Sequence, residues 1–164
     1  MNKRLNKKGF TIIEVVLVLA IAGLIFLMVF VALPRLQISQ RDTQRRDDVA
    51  ALATAVTQYQ SNNGGRLPVS GAEDEFIERY LEAGGSTFND PSSGETYPLS
   101  IQDYSGDSIT DYLDGDSYGE MVIIRSGACS DEEGADGGIV EGTGVRSYAV
   151  AVSLEGSGYY CSDN

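Results

Sequence analysis

The sequence predicts an α+β fold in which one long N-terminal helix packs on a small C-terminal antiparallel β-sheet. An unbroken apolar run over Val15–Leu33 and helical spacing of apolar residues beyond it predict the helix, which we place at about 11–61. Period-two alternation in the last third predicts the sheet. We divide the 164 residues into a leader at 1–9, the helix region at 10–62 with its transmembrane part at 15–34, and a head at 63–164.

Charge is distributed unevenly along the chain. The leader carries four cations and no acid, the helix region is neutral, and the head has four arginines against twenty acids, a net charge of −16. We expect no direct nucleic-acid binding, because phosphate contacts need clustered cations. The absence of histidine from this sequence excludes Ser-His-Asp, Cys-His and His-ligated zinc chemistry. No other nucleophile–base pair stands out, so we predict that the chain is not an enzyme.

The apolar run is long enough to cross a membrane. As a helix, Val15–Leu33 would span roughly 28 Å, close to the thickness of a bilayer's hydrocarbon core. The cations before it predict a cytoplasmic N-terminus and an exported head. A cleaved secretory signal peptide is the alternative, since Ala20–Ala22 resembles a cleavage site, but eleven more apolar residues follow before Pro34. We therefore favour a membrane anchor.

One acid interrupts this apolar region. Glu14 is the sole charged residue between Lys8 and Arg35. A carboxylate in lipid is costly unless it is paired or protonated, so its presence indicates a function. The structural alternative is a side chain that reaches the headgroups from the helix end.

The residues around Glu14 carry a family resemblance. The segment KKGFTIIEVVLVLAIAGLI, within about the first 35 residues, resembles the N-terminus of type IV prepilins and pseudopilins. The resemblance implies that a prepilin peptidase cleaves after Gly9, that Phe10 becomes an N-methylated terminus, and that Glu14 guides assembly. We hypothesise that the Phe10 amine of one subunit pairs with Glu14 of its neighbour and sets the axial stagger. A pair within one chain is the alternative, because the two residues are four apart.

The helix continues beyond the membrane segment. Gly23 and Pro34 are candidate positions for a kink or local unwinding. Charged residues alternate after Pro34: Arg41, Asp42, Arg45, Arg46, Asp47 and Asp48. We interpret this cluster as a solvated helix face, with pairing between subunits as the functional alternative. DNA binding is disfavoured, because three acids balance the three arginines.

The head contains a short helix, a turn and strands. Ser70–Glu73 fits a capping box before a helix whose apolar face includes Phe76. Asp90–Tyr97 indicates a turn followed by an extended piece, and it weakly resembles a turn of pseudopilins. Three predicted strands should form an antiparallel meander that covers the amphipathic half of the long helix: Glu120–Arg125, Ser147–Leu154 and Gly158–Ser162.

The head is poor in aliphatic residues and needs further restraint. Ile, Leu, Val and Phe make up 19 of its 102 residues, near the composition of disordered chains. A disulfide between Cys129 and Cys161 would close a loop of about 33 residues and contribute roughly 3–4 kcal/mol. Two free thiols are the alternative, but the exported location favours the bridge. The prepilin resemblance also implies a C-terminal disulfide loop.

An acidic cluster lies inside that loop, at Asp131, Glu132, Glu133 and Asp136. We interpret it as a solvated loop, with a calcium site as the alternative because oxygen ligands suit that ion. The spacing does not match an EF-hand. Apart from calcium, we expect no cofactor.

The resemblance predicts a structural pilin subunit that polymerises into a type IV pilus. Implied roles are attachment, twitching motility and DNA uptake. Implied partners are further copies of the chain, prepilin peptidase, the assembly platform and minor pilins. The prepilin would be a single-pass protein of the cytoplasmic membrane, and the filament would be extracellular. The alternatives are a type II secretion pseudopilin, a minor pilin, and a membrane-anchored binding domain that never polymerises.

Overall fold

The structure, a computed structural model, describes residues 9–83, 85, 87–113, 117–130, 138–156 and 158–164. The chain divides into two compact units, Met1–Gln37 and Ile38–Asn164. The helices of the described part are α1 (Ile12–Asn62), α2 (Glu73–Tyr80) and α3 (Ile109–Tyr112). Its strands are β1 (Leu99–Asp103), β2 (Met121–Arg125), β3 (Gly127–Cys129), β4 (Ile139–Glu141), β5 (Tyr148–Ser153) and β6 (Tyr159–Asp163). The predicted α+β class is confirmed.

Helix α1 matches its predicted range to within one residue at each end. It runs without a break through Gly23 and Pro34, so neither residue unwinds it, and a kink stays a prediction. Proline has no N–H, so the Phe30 carbonyl lacks its helical donor at Pro34. The helix ends where Gly64 and Gly65 adopt φ values of 67° and 83°. The Gly65 amide donates to the Gln60 carbonyl at 2.7 Å, which closes the last turn.

The main sheet has four strands in the order β1-β2-β5-β6. Strands β2, β5 and β6 form the predicted antiparallel meander, with Ile123 opposite Val150 and Ala151 opposite Cys161. Strand β1 adds a parallel edge to β2, and β3 pairs with β4 in a second, two-stranded sheet. Strands β1, β3 and β4 were not predicted from the sequence.

Both faces of the sheet are buried. One face, with Ile123 and Val150, packs against the second half of α1 through Val49, Leu52 and Val56. Side chains on the other face form a second cluster with α3 and β4: Ile109, Tyr112, Leu113, Val122, Ile124, Ile139, Ala149 and Ala151. Burial on two sides explains why β2 and β5 are almost continuously apolar.

The predicted capping box at Ser70–Glu73 is wrong, although the helix after it is present. The chain turns at Gly71, where φ is 87°, and the N-cap is Ala72, whose side chain makes no capping hydrogen bond. Three acids in the first turn of α2 compensate by interacting with the positive end of the helix dipole. A complete capping box lies instead at α3, between Ser108 and Asp111.

Candidate functional site

The processing junction lies just before α1. Gly9 and Phe10 are exposed and precede the first helical residue, and the Phe10 side chain is 86% exposed. The junction is therefore accessible, as a cleavage site requires. Because Phe10 is not part of the helix, the helical i,i+4 spacing assumed for a pair between Phe10 and Glu14 of one chain does not apply. The two residues still line one open groove with Val15, Val18 and Leu19.

Thr11 caps the helix and positions Glu14. The Thr11 hydroxyl accepts from the Glu14 amide at 3.4 Å, and the Thr11 carbonyl accepts from the same amide at 3.1 Å. This arrangement places Glu14 in the first turn, where the helix dipole favours a carboxylate. This capping role of Thr11 was not predicted from the sequence. The T-x-x-E spacing of Thr11 and Glu14 was the available signal.

The apolar part of α1 has no covering partner in the described part of the chain. Across Val15–Leu33 the large apolar side chains are between 44% and 75% exposed. By length and composition the helix can cross a membrane. Such a continuous apolar surface requires lipid or other protein chains around it.

A buried ionic network, which we call the Arg45 network, lies in the second unit. It consists of Arg45, Asp42, Asp90, Ser92 and Glu155, whose Oε2 lies 3.7 Å from Arg45 Nη1. The Arg45 side chain is fully buried. Its Nε donates to Asp90 Oδ2 at 2.7 Å and its Nη2 to Asp90 Oδ1 at 3.2 Å, a bidentate pair. Its remaining bonds reach Asp42 at 3.0 Å and the Ser92 hydroxyl at 3.0 Å.

The network fixes two loops to the helix. Asp90 belongs to the predicted turn at 90–97, and its Oδ1 accepts from the Ser92 and Ser93 amides at 2.8 and 3.2 Å. Asp42 accepts from the Glu155 and Gly156 amides at 2.9 and 2.8 Å, which holds the β5–β6 turn.

Two glycines give the network the space it needs. A Cβ at Gly119, where φ is 79°, would overlap the Asp90 carboxylate, and a Cβ at Gly156 would lie 2.7 Å from Asp42 Oδ2. Any side chain at either position would therefore displace a carboxylate of the network.

Electrostatics keep the network charged. Burial alone would raise the pKa of Asp90, but hydrogen bonds from Arg45 and Ser92 outweigh it, so this pKa lies below its ordinary value. Burial would likewise lower the pKa of Arg45, but Asp90 and Asp42 outweigh it and raise this pKa. Arg45 and Asp90 are therefore both ionised at neutral pH.

A second buried contact lies beside the network. The Tyr97 hydroxyl donates to Asp48 Oδ2 at 2.6 Å. Burial raises the pKa of Asp48, and the hydrogen bond from Tyr97 opposes this rise only in part. Burial and the Asp48 carboxylate together raise the pKa of Tyr97 far above its ordinary value.

The interpretation of Arg41–Asp48 as a solvated helix face is wrong for Asp42 and Arg45, which are buried, and for Asp48, which is partly buried and accepts the Tyr97 hydroxyl. Asp42 and Arg45 lie on the same face of α1 as Val49, Leu52 and Val56, seven and four residues before Val49. The sequence did contain a signal for their burial. When the apolar stripe is extended from Val49 toward the N-terminus by one and two helical turns, it reaches Arg45 and Asp42. Asp90 is 45 positions away from Arg45, and nothing local in the sequence indicates that partner.

The predicted disulfide is present. Cys129 of β3 and Cys161 of β6 are bonded, with their Cα atoms 5.9 Å apart. The bond ties the two-stranded sheet to the main sheet and lies against the second core cluster.

The four calcium candidates lie outside the described residues. Asp131, Glu132, Glu133 and Asp136 all fall in the undescribed segment 131–137. The calcium site stays a prediction.

Comparison with known proteins bears on the N-terminal segment. A family model described as the prokaryotic N-terminal methylation motif matches residues 4–30. No curated protein and no solved structure gives a significant match to the chain. The matched residues include the junction at Gly9, Glu14 and most of the apolar run, and they support a type IV pilin-like prepilin that a prepilin peptidase processes. The motif indicates a structural subunit, and the motif and the exposed apolar helix together fit a membrane-anchored prepilin.

Proposed function

We propose that this chain is the structural subunit of a type IV pilus. One observation carries the proposal: the methylation motif coincides with an apolar helical segment that the described part of the chain leaves uncovered. In the prepilin, lipid surrounds this segment. In the filament, the same segments of neighbouring subunits surround it, so extraction from the membrane exchanges lipid contacts for helix–helix contacts.

Glu14 has a defined part in this exchange. Cleavage after Gly9 creates an α-amine at Phe10 whose reference pKa is near 7.7–8.0, so it is largely cationic at neutral pH. Within a low-dielectric bundle, this cation stabilises the Glu14 carboxylate of the adjacent subunit. The pair forms only at one axial stagger, which is how it sets the register of the filament.

Mass spectrometry of filaments sheared from the cell surface tests the proposal. We expect the chain in this fraction, beginning at Phe10, carrying one methyl group on its amine and retaining the disulfide. A chain found only in the membrane fraction would contradict polymerisation and favour an anchored binding domain. Neighbouring genes for secretion, rather than for motility or adhesion, would favour the pseudopilin alternative.

Glu14→Gln, which keeps the shape and removes the charge, tests the role of Glu14. We expect cleavage and membrane insertion to remain and the sheared filaments to fall to a small fraction of their usual abundance, because the uncharged amide cannot pair with the Phe10 amine. Thr11→Ser, which keeps the capping hydroxyl, is the matched control. Normal filament abundance in the Glu14 variant would disprove the pairing.

A further inference from the structure

A cationic cleft lies in the otherwise acidic head. Three arginines line it, Arg66, Arg125 and Arg146, together with Asp103, Val69 and Val145, and we call it the arginine cleft. Its volume is ≈ 470 Å³. The head has four arginines in all, so three of them converge on one site.

The cleft keeps two arginines available for a partner. Arg125 Nη2 pairs with Asp103 Oδ2 at 2.6 Å, which neutralises one guanidinium. Arg66 and Arg146 are exposed and form no ion pair with any described residue. The cleft therefore has a net charge of +2 in a head whose net charge is −16.

The backbone around the cleft holds Arg146 in place. A Cβ at Gly65 would lie 2.7 Å from Arg146 Cζ, so the guanidinium packs directly on this glycine. The Arg146 carbonyl accepts from Gln60 Nε2 at 2.8 Å, which joins its loop to the end of α1. Because the arginine is already positioned, an acidic partner needs to order less of the site when it binds.

Exposed apolar residues at the edge of the cleft favour a protein partner. Val145 is 87% exposed and Val69 is 50% exposed. Arginine combined with apolar contacts is typical of protein interfaces, whereas a free inorganic anion gains no favourable contact from the two valines. A polyanion such as DNA is disfavoured, because the surrounding head repels it.

The chain itself carries a matching acidic surface. Asp74 and Glu78 lie four residues apart on α2, on the side opposite the buried Phe76 and Ile77. Both acids are exposed, whereas the nearby Glu75 pairs with Arg79 at 3.4 Å. Neither Asp74 nor Glu78 forms an ion pair with a described residue. Two available carboxylates thus match two available guanidiniums.

We propose that the arginine cleft of one subunit binds the Asp74–Glu78 surface of α2 in a second copy of the chain. This inference rests on the proposed polymerisation, which brings many copies together. Heads of the same charge repel one another, and this contact places opposite charges at the junction between them. Cleft and α2 are different surfaces, so the contact is heterologous and can repeat from subunit to subunit.

Photo-crosslinking in the producing cells tests the contact on the full chain. A benzophenone amino acid at position 145 should give a chain–chain adduct whose crosslinked tryptic peptide spans 67–79. The same probe at Tyr118, which is 58% exposed and outside the cleft, should not label that peptide. An adduct with another protein, or no adduct, would overturn the proposal.

Charge reversal supplies the specificity control. Arg66→Glu with Arg146→Glu should lower the adduct yield on the order of tenfold, and adding Asp74→Lys with Glu78→Lys should restore it. Arg46→Glu, the same reversal at an exposed arginine outside both surfaces, should leave the yield unchanged. If the variant that carries all four substitutions does not regain the adduct, this result would also count against the contact.

The outcomes separate this inference from the proposed function. Filaments with a Phe10 terminus but no adduct at 67–79 would overturn the contact and leave the pilus subunit standing. An adduct found only in the membrane fraction, without filaments, would support the contact and count against the pilus.

Discussion

The two halves of α1 differ in what surrounds their apolar side chains. In the first unit, Leu24 is 71% exposed and has only apolar neighbours along the helix. In the second unit, Leu52 is fully buried against the sheet. One continuous helix thus joins a segment that the described part of the chain leaves uncovered to a segment that the chain packs itself.

Polar residues follow the same division. Across Val15–Leu33 the sequence has no charged residue. In the second half, Arg45 is buried on the same stripe as Val49 and Leu52 and is neutralised by Asp90 and Asp42. A buried ion pair is only weak evidence for net stability, but removing one partner is expensive. Partners within the chain therefore fix the position of the second half of α1. The packing of the first half depends on what surrounds it.

Arg45→Ala is the substitution with the largest expected effect. It leaves Asp90 and Asp42 without their buried cation, so we expect the free energy of unfolding to fall by about 3–5 kcal/mol. Urea denaturation of the detergent-solubilised chain, followed by the near-ultraviolet circular dichroism of its tyrosines, measures this loss. Arg46→Ala is the matched control, because Arg46 is exposed and its guanidinium lies over the Tyr160 ring, 5.5 Å from the ring centroid. A loss of similar size in both variants would show that the Arg45 network stabilises the fold no more than an exposed arginine does.

The same variant has a distinct pH dependence. The pKa of Asp90 is lowered in the folded chain, so its stabilisation is complete above the ordinary carboxyl pKa near 3.9 and is lost as pH falls through the lowered value. The wild type should lose stability in that acidic window. Arg45→Ala should lose less there, since its Asp90 no longer has the favourable partner.

Leucine truncation compares the two halves directly. Leu52→Ala opens a cavity in the core and should cost about 3 kcal/mol in the free energy of unfolding of the head. Leu24→Ala, the same change on the same helix, removes only exposed surface and should leave that free energy unchanged. Equal losses from the two variants would mean that the first half of α1 also packs within the chain.

The sequence was most informative where a feature repeats along the chain. The 51-residue length of α1 followed from an unbroken apolar run and from the helical spacing of apolar residues after it. The meander of β2, β5 and β6 was found, although β2 and β5 are almost continuously apolar rather than alternating, because both of their faces are buried. Strand β1, with the sequence LSIQD, is as long as β2. It was missed because it pairs with β2 in parallel, with a partner 22 positions further along the chain, and no hairpin turn links the two strands. The three-residue strands β3 and β4 are too short to show a period.

The candidate sites divide in the same way. One short motif predicted both the cleavage junction at Gly9 and the role assigned to Glu14. All the residues that define the motif lie in one local segment of the sequence. The Arg45 network joins positions 42, 45, 90 and 155, and each partner alone is an ordinary acid or arginine. Long-range pairing of this kind depends on how the turns fold, which residue spacing does not reveal.

Asp48→Asn has the smallest expected effect and tests how finely the head half is adjusted. The pKa of Asp48 is raised by burial, so the ionised carboxylate opposes folding at neutral pH, and protonation relieves this cost as pH falls. An asparagine keeps an oxygen that accepts the Tyr97 hydroxyl and carries no charge. The variant should therefore be about 0.5 kcal/mol more stable at pH 7, and the difference should vanish below the ordinary carboxyl pKa near 3.9. Urea denaturation at pH 7 and at pH 3 measures both values. If the variant is less stable at pH 7, then the charge of Asp48, and not only its hydrogen bond, holds the Tyr97 side chain against α1.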